Sequence, residues 1–253
     1  MVAVERDDYP SALRRMGEDL PRPRAIVVVS AHWESPLPVR VGTSPRPETI
    51  HDFGGFPDEL YDLAYPCPGE PRLGQEVLSL LSAAGVRATA DDRRGLDHGA
   101  WVPLRHAYPG AEIPVLEVTL PSPRSPSDLI RLGQALAPLR GRGVLLVGSG
   151  GIVHNLRRVR FGDKAAPVES WARAFDDWVR ERLEEGKVAA LAEYRSRAPE
   201  ATTAVPTTEH FDPLFVVLGA VGDGFRVRDL YEGFQYGNLS MRTFAASGPA
   251  SQK

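Results

Sequence analysis

Cysteine is nearly missing from this sequence. Cys67 is the single one among 253 residues, which excludes an intrachain disulfide and any multi-cysteine zinc or iron–sulfur site. Set between Pro66 and Pro68, it reads as a small loop hydrophobe. Long apolar runs are missing as well. No stretch approaches the ~20 residues needed to cross a bilayer. Residues 1–20 are charged and lack an apolar centre, which reads against a signal peptide and for a cytoplasmic location. Charge of one sign is missing too. Thirty Lys and Arg stand against 33 Asp and Glu, a formal net charge of -3, and no basic stripe stands out, so neither a nucleic acid nor a membrane is expected as partner. Nucleotide signatures are weak. "GSGG" at 148–151 could be a phosphate-cradling turn, but it matches neither GxGxxG nor GxxxxGK[ST]. "VGSGG" also lacks the first glycine of the G-x-S-x-G nucleophile elbow.

What is present is an ordinary globular composition, 42% hydrophobic and 25% charged. The patterning predicts a short helix over 9–17, stopped by Pro21 and Pro23. Residues 25–31 (AIVVVSA) form an unbroken apolar run, the pattern of a strand covered on both faces. A further strand is expected at 39–41. A Pro-, Gly- and Thr-rich loop comes next, over 43–58, long enough to suggest function or mobility. Helical spacing over 72–84 ends at Gly85, a favourable C′ residue. Strands are predicted at 86–90, 113–120 and 144–147. Helices are predicted at 127–139, 170–186, 188–195 and 207–219, the last behind a capping-box-like Thr207–Thr208–Glu209. A final strand is expected over 234–245. The alternation of strands and helices, without repeats or low-complexity segments, predicts an α/β fold. The expected form is a single domain over residues 1–246, with a mostly parallel or mixed central sheet flanked by helices. Residues 247–253 are expected to be a disordered tail.

Six histidines carry most of the chemistry. His32 lies just past the carboxyl end of the first buried strand, and His154 comes after another such strand and a glycine turn. His51 and His98 sit beside glycines in loops, and His210 opens an apolar helix. In open α/β sheets ligands gather at the carboxyl ends of the strands, so these five point to one rim. A lone loop histidine is ordinarily a surface or hydrogen-bonding group; the joint pattern gives the set its weight. His106, in "PLRHAYPG", reads as structural. Imidazoles without cysteines suit Zn, Fe, Cu or Ni. They suit paired acid and base work near neutral pH equally well.

The chain resembles the class III extradiol ring-cleaving dioxygenases, in the branch similar to DOPA 4,5-dioxygenase. The resemblance rests on "PRPRAIVVVSAHW" (21–33), "TIHDFGGFPDELYDLAYPCPG" (49–69), "GLDHGAWVPL" (95–104), "VGSGGIVHNL" (147–156), "WARAFDDWV" (171–179), "TTEHFDPLFVVLGA" (207–220) and "GNLSMRTF" (237–244). These stretches stand in family order and span nearly the whole chain. The resemblance implies an enzyme that uses non-haem Fe(II) and O₂ to open a catecholic, DOPA-like ring beside the two hydroxyls, with zinc replacing iron in some purified or crystallised forms. It implies metal ligation by His32 and His210, with His154 beside the metal as base on the substrate hydroxyl and close enough to coordinate. It implies that His98 orients O₂ or donates a proton, and that His51 binds substrate at the pocket mouth. The expected partners are a small-molecule catechol and O₂, and a homo-oligomer is compatible with all of this. Two other readings stand beside it: a metal-dependent hydrolase or lyase on the same fold, and a catalytically impaired binding relative.

The second of these is motivated by the N-terminus. Members of the family begin with an apolar strand ending in His-Gly-Ser-Pro, whose histidine is a metal ligand. Here "MVAVERDDYPSALRRMG" resembles the family's segment just after that motif. The expectation is a chain begun at a late start codon, with a gap in the sheet beside residues 25–31. The metal would then rest on His32 and His210, with His154 or water completing the set.

Overall fold

The computed structural model describes residues 2–5 and 7–248. The chain forms two compact units, Met1–Arg124 with Ala135–Ser149, and Ser125–Gln134 with Gly150–Lys253.

The first unit is organised around three parallel strands. The apolar run predicted from the sequence is β1 (Ala25–Ser30), buried at every position. After it come β2 (Glu34–Pro36), β3 (Val39–Gly42) and β4 (Ala88–Asp91), then β5 (Val115–Glu117), β6 (Leu120–Ser122) and β7 (Val144–Ser149). β1 lies between β5 and β7, parallel to both; Ile26 faces Val115 on one side and Leu145 on the other. Two further parallel pairs, β2 with β6 and β3 with β4, extend the pattern. The expected α/β class with a parallel central sheet is therefore present. The expected gap beside residues 25–31 is not: β5 and β7 take up both edges of β1, so its backbone groups have partners on each side.

Helices α1 (Asp8–Asp19), α2 (Pro71–Ala83) and α3 (His98–Ala107) cover this unit. Each starts on an acidic side chain that accepts a backbone N–H: Asp7, Glu70 and Asp97 respectively. α1 packs on α3, and α2 packs on β3 and β4. Ile26, Val28 and Val115 from the strands meet Leu60, Tyr65, Leu96, Trp101, Leu104 and Tyr108 in one buried cluster. Cys67 belongs to it, and burial pushes its thiol up to about 12, in keeping with an inert apolar filler.

The second unit holds most of α4 (Pro126–Leu136), together with α5 (Ser170–Glu184), α6 (Val188–Ala192), α7 (Tyr194–Arg197), α8 (Ala201–Ala204) and α9 (Pro213–Val221). Its strands are β8 (Arg226–Tyr231), β9 (Phe234–Gln235), β10 (Leu239–Ser240) and β11 (Thr243–Ser247). β8 pairs with β11 and β9 with β10, both antiparallel. Phe175, Tyr194, Phe211 and Phe215 form its aromatic core. A buried ion pair ties α5 to the last strands, with Arg242 donating to the Asp176 carboxylate at 2.7 and 3.0 Å and Ser240 Oγ donating at 2.6 Å.

Several boundaries differ from the sequence reading. The strand expected over 113–120 divides into β5 and β6. The one expected over 234–245 breaks into β9, β10 and β11, with Gly237 at positive φ in the turn between β9 and β10. The helix expected from 207 begins at Pro213, which suits the first turn because it has no N–H to leave unpaired. Ser247 ends β11 rather than opening the tail, and residues 249–253 lie outside those described. No described helix is long and apolar enough to cross a membrane.

Candidate metal centre and active site

The first cluster arises where β1 ends. Its side chains are buried up to Ser30, and two residues later His32 emerges, about a quarter exposed. His98 is the first residue of α3, so the start of that helix fixes its backbone. Asp52 comes from the long loop after β3. The His98 backbone N–H donates to Asp52 Oδ1 at 2.8 Å. The His98 ring Nδ1 lies 3.0 Å from the same oxygen, and His32 Nδ1 lies 3.7 Å from Oδ2. The two imidazoles are 4.0 Å apart between centroids. Burial alone would push the Asp52 carboxyl up, but the ring and backbone N–H of His98 outweigh it and hold the group down at about 2.

One ligand atom from each of His32, Asp52 and His98 lies within 4.8 Å of the others. Two imidazoles and an ionised carboxylate are a suitable donor set for a divalent transition metal. Moreover, His98 Nδ1 is buried without a well-aligned hydrogen bond despite facing the carboxylate. A cation between such groups would satisfy them, so the residues present fit a metal.

His51 stands next to Asp52 in sequence but has a different setting. Its Nε2 lies 2.9 Å from the Leu63 carbonyl, and its ring packs near those of Phe53, Tyr61 and Trp101 at 5.7–6.0 Å. Phe53 in turn meets the His98 ring edge-on at 5.6 Å. This aromatic wall leads from Asp52 and His98 to the half-exposed Phe56 and Tyr61. Gly54 and Gly55, between Phe53 and Phe56, have open space where a side chain would stand.

The second unit brings together His154 and His210. Their rings stack at 3.6 Å with an interplanar angle of 7°. The "GSGG" turn explains part of this. Gly151 N–H donates to the His210 carbonyl at 2.8 Å, and a Cβ on Gly150 would run into that same carbonyl. The glycines thus allow close backbone approach beside a histidine, a role the phosphate reading of the sequence did not anticipate. His210 Nδ1 lies 3.1 Å from Glu209 Oε1. That contact is the main reason the Glu209 carboxyl is held at about 2. Asn155 donates from Nδ2 to the Thr203 carbonyl at 2.7 Å, and its own carbonyl accepts from Asn238, bracing the residue after His154.

His106 is structural, as read from the sequence: its buried ring approaches the Val2 carbonyl at 2.7 Å, and burial lowers its pKa. Sequence reasoning missed Asp52, Ser30, Asp97 and Glu117. Asp52 and Asp97 were legible in principle, since each adjoins a candidate histidine in "IHDF" and "LDHG". Glu117 looked like one more strand residue. It is fully buried beside Asp97, and that burial raises its pKa well above the usual carboxylate range.

Comparison with known proteins bears on this geometry. Residues 5–241 match the family model described as the catalytic LigB subunit of aromatic ring-opening dioxygenase. A "4,5-DOPA dioxygenase extradiol" from Escherichia coli (strain K12) is 40% identical over 245 residues, covering 95% of this chain and 89% of that protein. One of the same name from Beta vulgaris is 40% identical over 225 residues, covering 88% and 82%. The crystal structure of the uncharacterized protein JW3007 from Escherichia coli K12 superposes with a TM-score of 0.82 at 35% identity, covering 97% of this chain and 94% of that one.

Proposed function

We propose, from the premise that this chain belongs to the family of catalytic LigB subunits of aromatic ring-opening dioxygenases and is itself an extradiol dioxygenase, that its metal is Fe(II) and its substrate a DOPA-like catechol. The premise decides for oxygenation over the hydrolase and lyase readings. The observation that carries the metal is the His32–Asp52–His98 cluster.

A ferrous ion, when bound, would bring catechol and O₂ together and let ring electron density reach O₂ without a soluble cofactor. His32 would hold it, with His210 and His154 as the donors the family resemblance assigns. Asp52 would then work behind the metal, its carboxylate facing the Nδ1 atoms of His32 and His98. Carboxylates in that position orient ligating imidazoles and raise their basicity. A second reading is favoured by the same short distances: Asp52 and His98 as ligands in their own right.

A catechol must lose a proton to chelate, and His154 is the base proposed to take it from the hydroxyl. His98 has the complementary task of directing O₂ or donating a proton. The aromatic wall of Phe53, Tyr61 and Trp101, with His51 among them, offers faces and edges for a flat ring. Both atoms of O₂ end in the ring-opened product. The reading also treats residues 1–246 as one catalytic domain, supported by a family match that runs through both units.

The test is anaerobic loading with Fe(II), then L-DOPA and a panel of substituted catechols in air. A yellow ring-cleavage product with one O₂ consumed per catechol is expected, with L-DOPA among the best substrates. Tight iron binding without product from any catechol would overturn the reading. Equal or better activity with another metal would overturn the Fe(II) assignment. Metal content of the variants separates the two donor sets. His210→Ala should lose metal in the first and keep it in the second, where His98→Ala should lose it instead.

A further inference from the structure

We propose that Asp97 and Ser30 are positioning residues that hold His98 against His32. Asp97 caps α3, whose first residue is His98; its Oδ1 accepts from the Ala100 N–H at 3.2 Å. A cap needs only one polar oxygen, and serine serves as well as aspartate. Asp97 does much more than that. Its Oδ1 also accepts from Ser30 Oγ at 2.7 Å, and its Oδ2 accepts from Arg94 Nη2 at 3.2 Å. Its backbone N–H donates to Glu117 Oε1 at 3.0 Å. All this happens at a residue with no exposed surface.

The other end of the network is His32. Ser30 Oγ accepts from the His32 backbone N–H at 3.2 Å while donating to Asp97. Arg94 Nη2 reaches the His32 carbonyl at 3.4 Å. One hydroxyl and one guanidinium therefore each join the backbone of His32 to the carboxylate that starts the His98 helix. Gly99 lets the elements approach so closely, because a Cβ there would stand 2.5 Å from Ser30 Oγ and 3.0 Å from the His32 ring. Ser149 Oγ, at the end of β7, closes the clamp by donating to the Gly99 carbonyl at 2.5 Å. Burying a carboxylate is costly unless it is paired and hydrogen-bonded. Here that cost is met where the separation of two histidines is set.

The inference rests on the reading that His32 and His98 work in one site, and the experiment separates the two. Ser30→Ala, Asp97→Asn and Asp97→Ser are compared with His98→Ala, each loaded with Fe(II). Asp97→Ser keeps a capping oxygen but shortens the side chain. Catalysis is sensitive to displacements near 1 Å, which can cost ~100-fold. Ser30→Ala and Asp97→Ser should both still fold cooperatively, Asp97→Ser melting lower because Arg94 loses its buried partner, and both should lose roughly 10- to 100-fold in kcat with KM little changed. In the metal-free protein, the ring resonances of His32 and His98 should move, and those of His154 and His210 should not. Parental kcat with unmoved His32 and His98 resonances would overturn the proposal. So would losses of activity that only accompany loss of fold. If the Asp97 variants do not fold, Ser30→Ala decides by the same two readouts. Parental turnover by His98→Ala would instead remove the reading on which the inference rests.

Discussion

Asp52 and His98 meet twice, through the backbone N–H of His98 at 2.8 Å and through its ring nitrogen at 3.0 Å, both on the same carboxylate oxygen. A loop residue is thereby bound to a helix start 46 positions away. The backbone contact fixes the start of the helix that carries the imidazole, and the ring contact sets that imidazole beside the carboxylate.

Asp52→Asn keeps an oxygen for the His98 N–H and removes the charge that faces both imidazoles. Loss of a carboxylate behind metal-binding histidines typically costs ~10- to 100-fold in metal affinity or activity. A fall of that size is expected, with the circular dichroism spectrum unchanged. Metal titration and steady-state turnover measure it, and parental values for both would remove Asp52 from the site.

His154→Ala should slow turnover by ~10²–10⁴, the usual contribution of a general base. If the base role dominates, the variant retains most of its iron. Iron content after desalting, read beside the rate, separates base from ligand.

Gly150→Ala should disturb the second histidine pair, because the new methyl meets the His210 carbonyl. Overpacking of this kind costs about 1–3 kcal/mol. Urea unfolding should show the loss, and the stacked His154 and His210 rings should separate in a crystal structure. An unchanged midpoint with the stack intact would show that the turn yields at no cost.

Gly54→Pro acts on the loop beside the aromatic wall. A Cβ at Gly54 would meet nothing within 4 Å, so the substitution acts through the fixed φ of proline rather than through a clash of its Cβ. Catechol KM is expected to rise while the melting temperature stays close to the parental value. An equal loss of binding and stability would make the turn a structural one.

Arg242→Met leaves Asp176 as a buried carboxylate without its guanidinium. Breaking a buried pair from one side costs about 3–5 kcal/mol. Denaturant unfolding should report that loss, and a variant as stable as the parent would show that the pair contributes nothing net.

The sequence by itself determined the class of fold and the identity of most candidate residues. The run at 25–31 could only be buried on both faces, and β1 is the middle strand of the parallel sheet. His32 stands out because the apolar run before it places it at a strand end, where it is found, whereas His98, read as a loop residue, begins α3, and His210, read as opening a helix, precedes α9 by three positions. What tertiary structure alone decided is which of these groups share an environment. Asp52, Asp97 and Glu117 carry no periodic signal; they acquire meaning when partners 46, 67 and 20 positions apart are brought within hydrogen-bond reach. The same holds for the "GSGG" turn, whose lack of side chains became intelligible only against the carbonyl of His210. The physical reason is one of range. Helix and strand patterns arise from burial repeated along the chain, whereas a hydrogen bond between distant residues depends on distances that only the packed molecule sets.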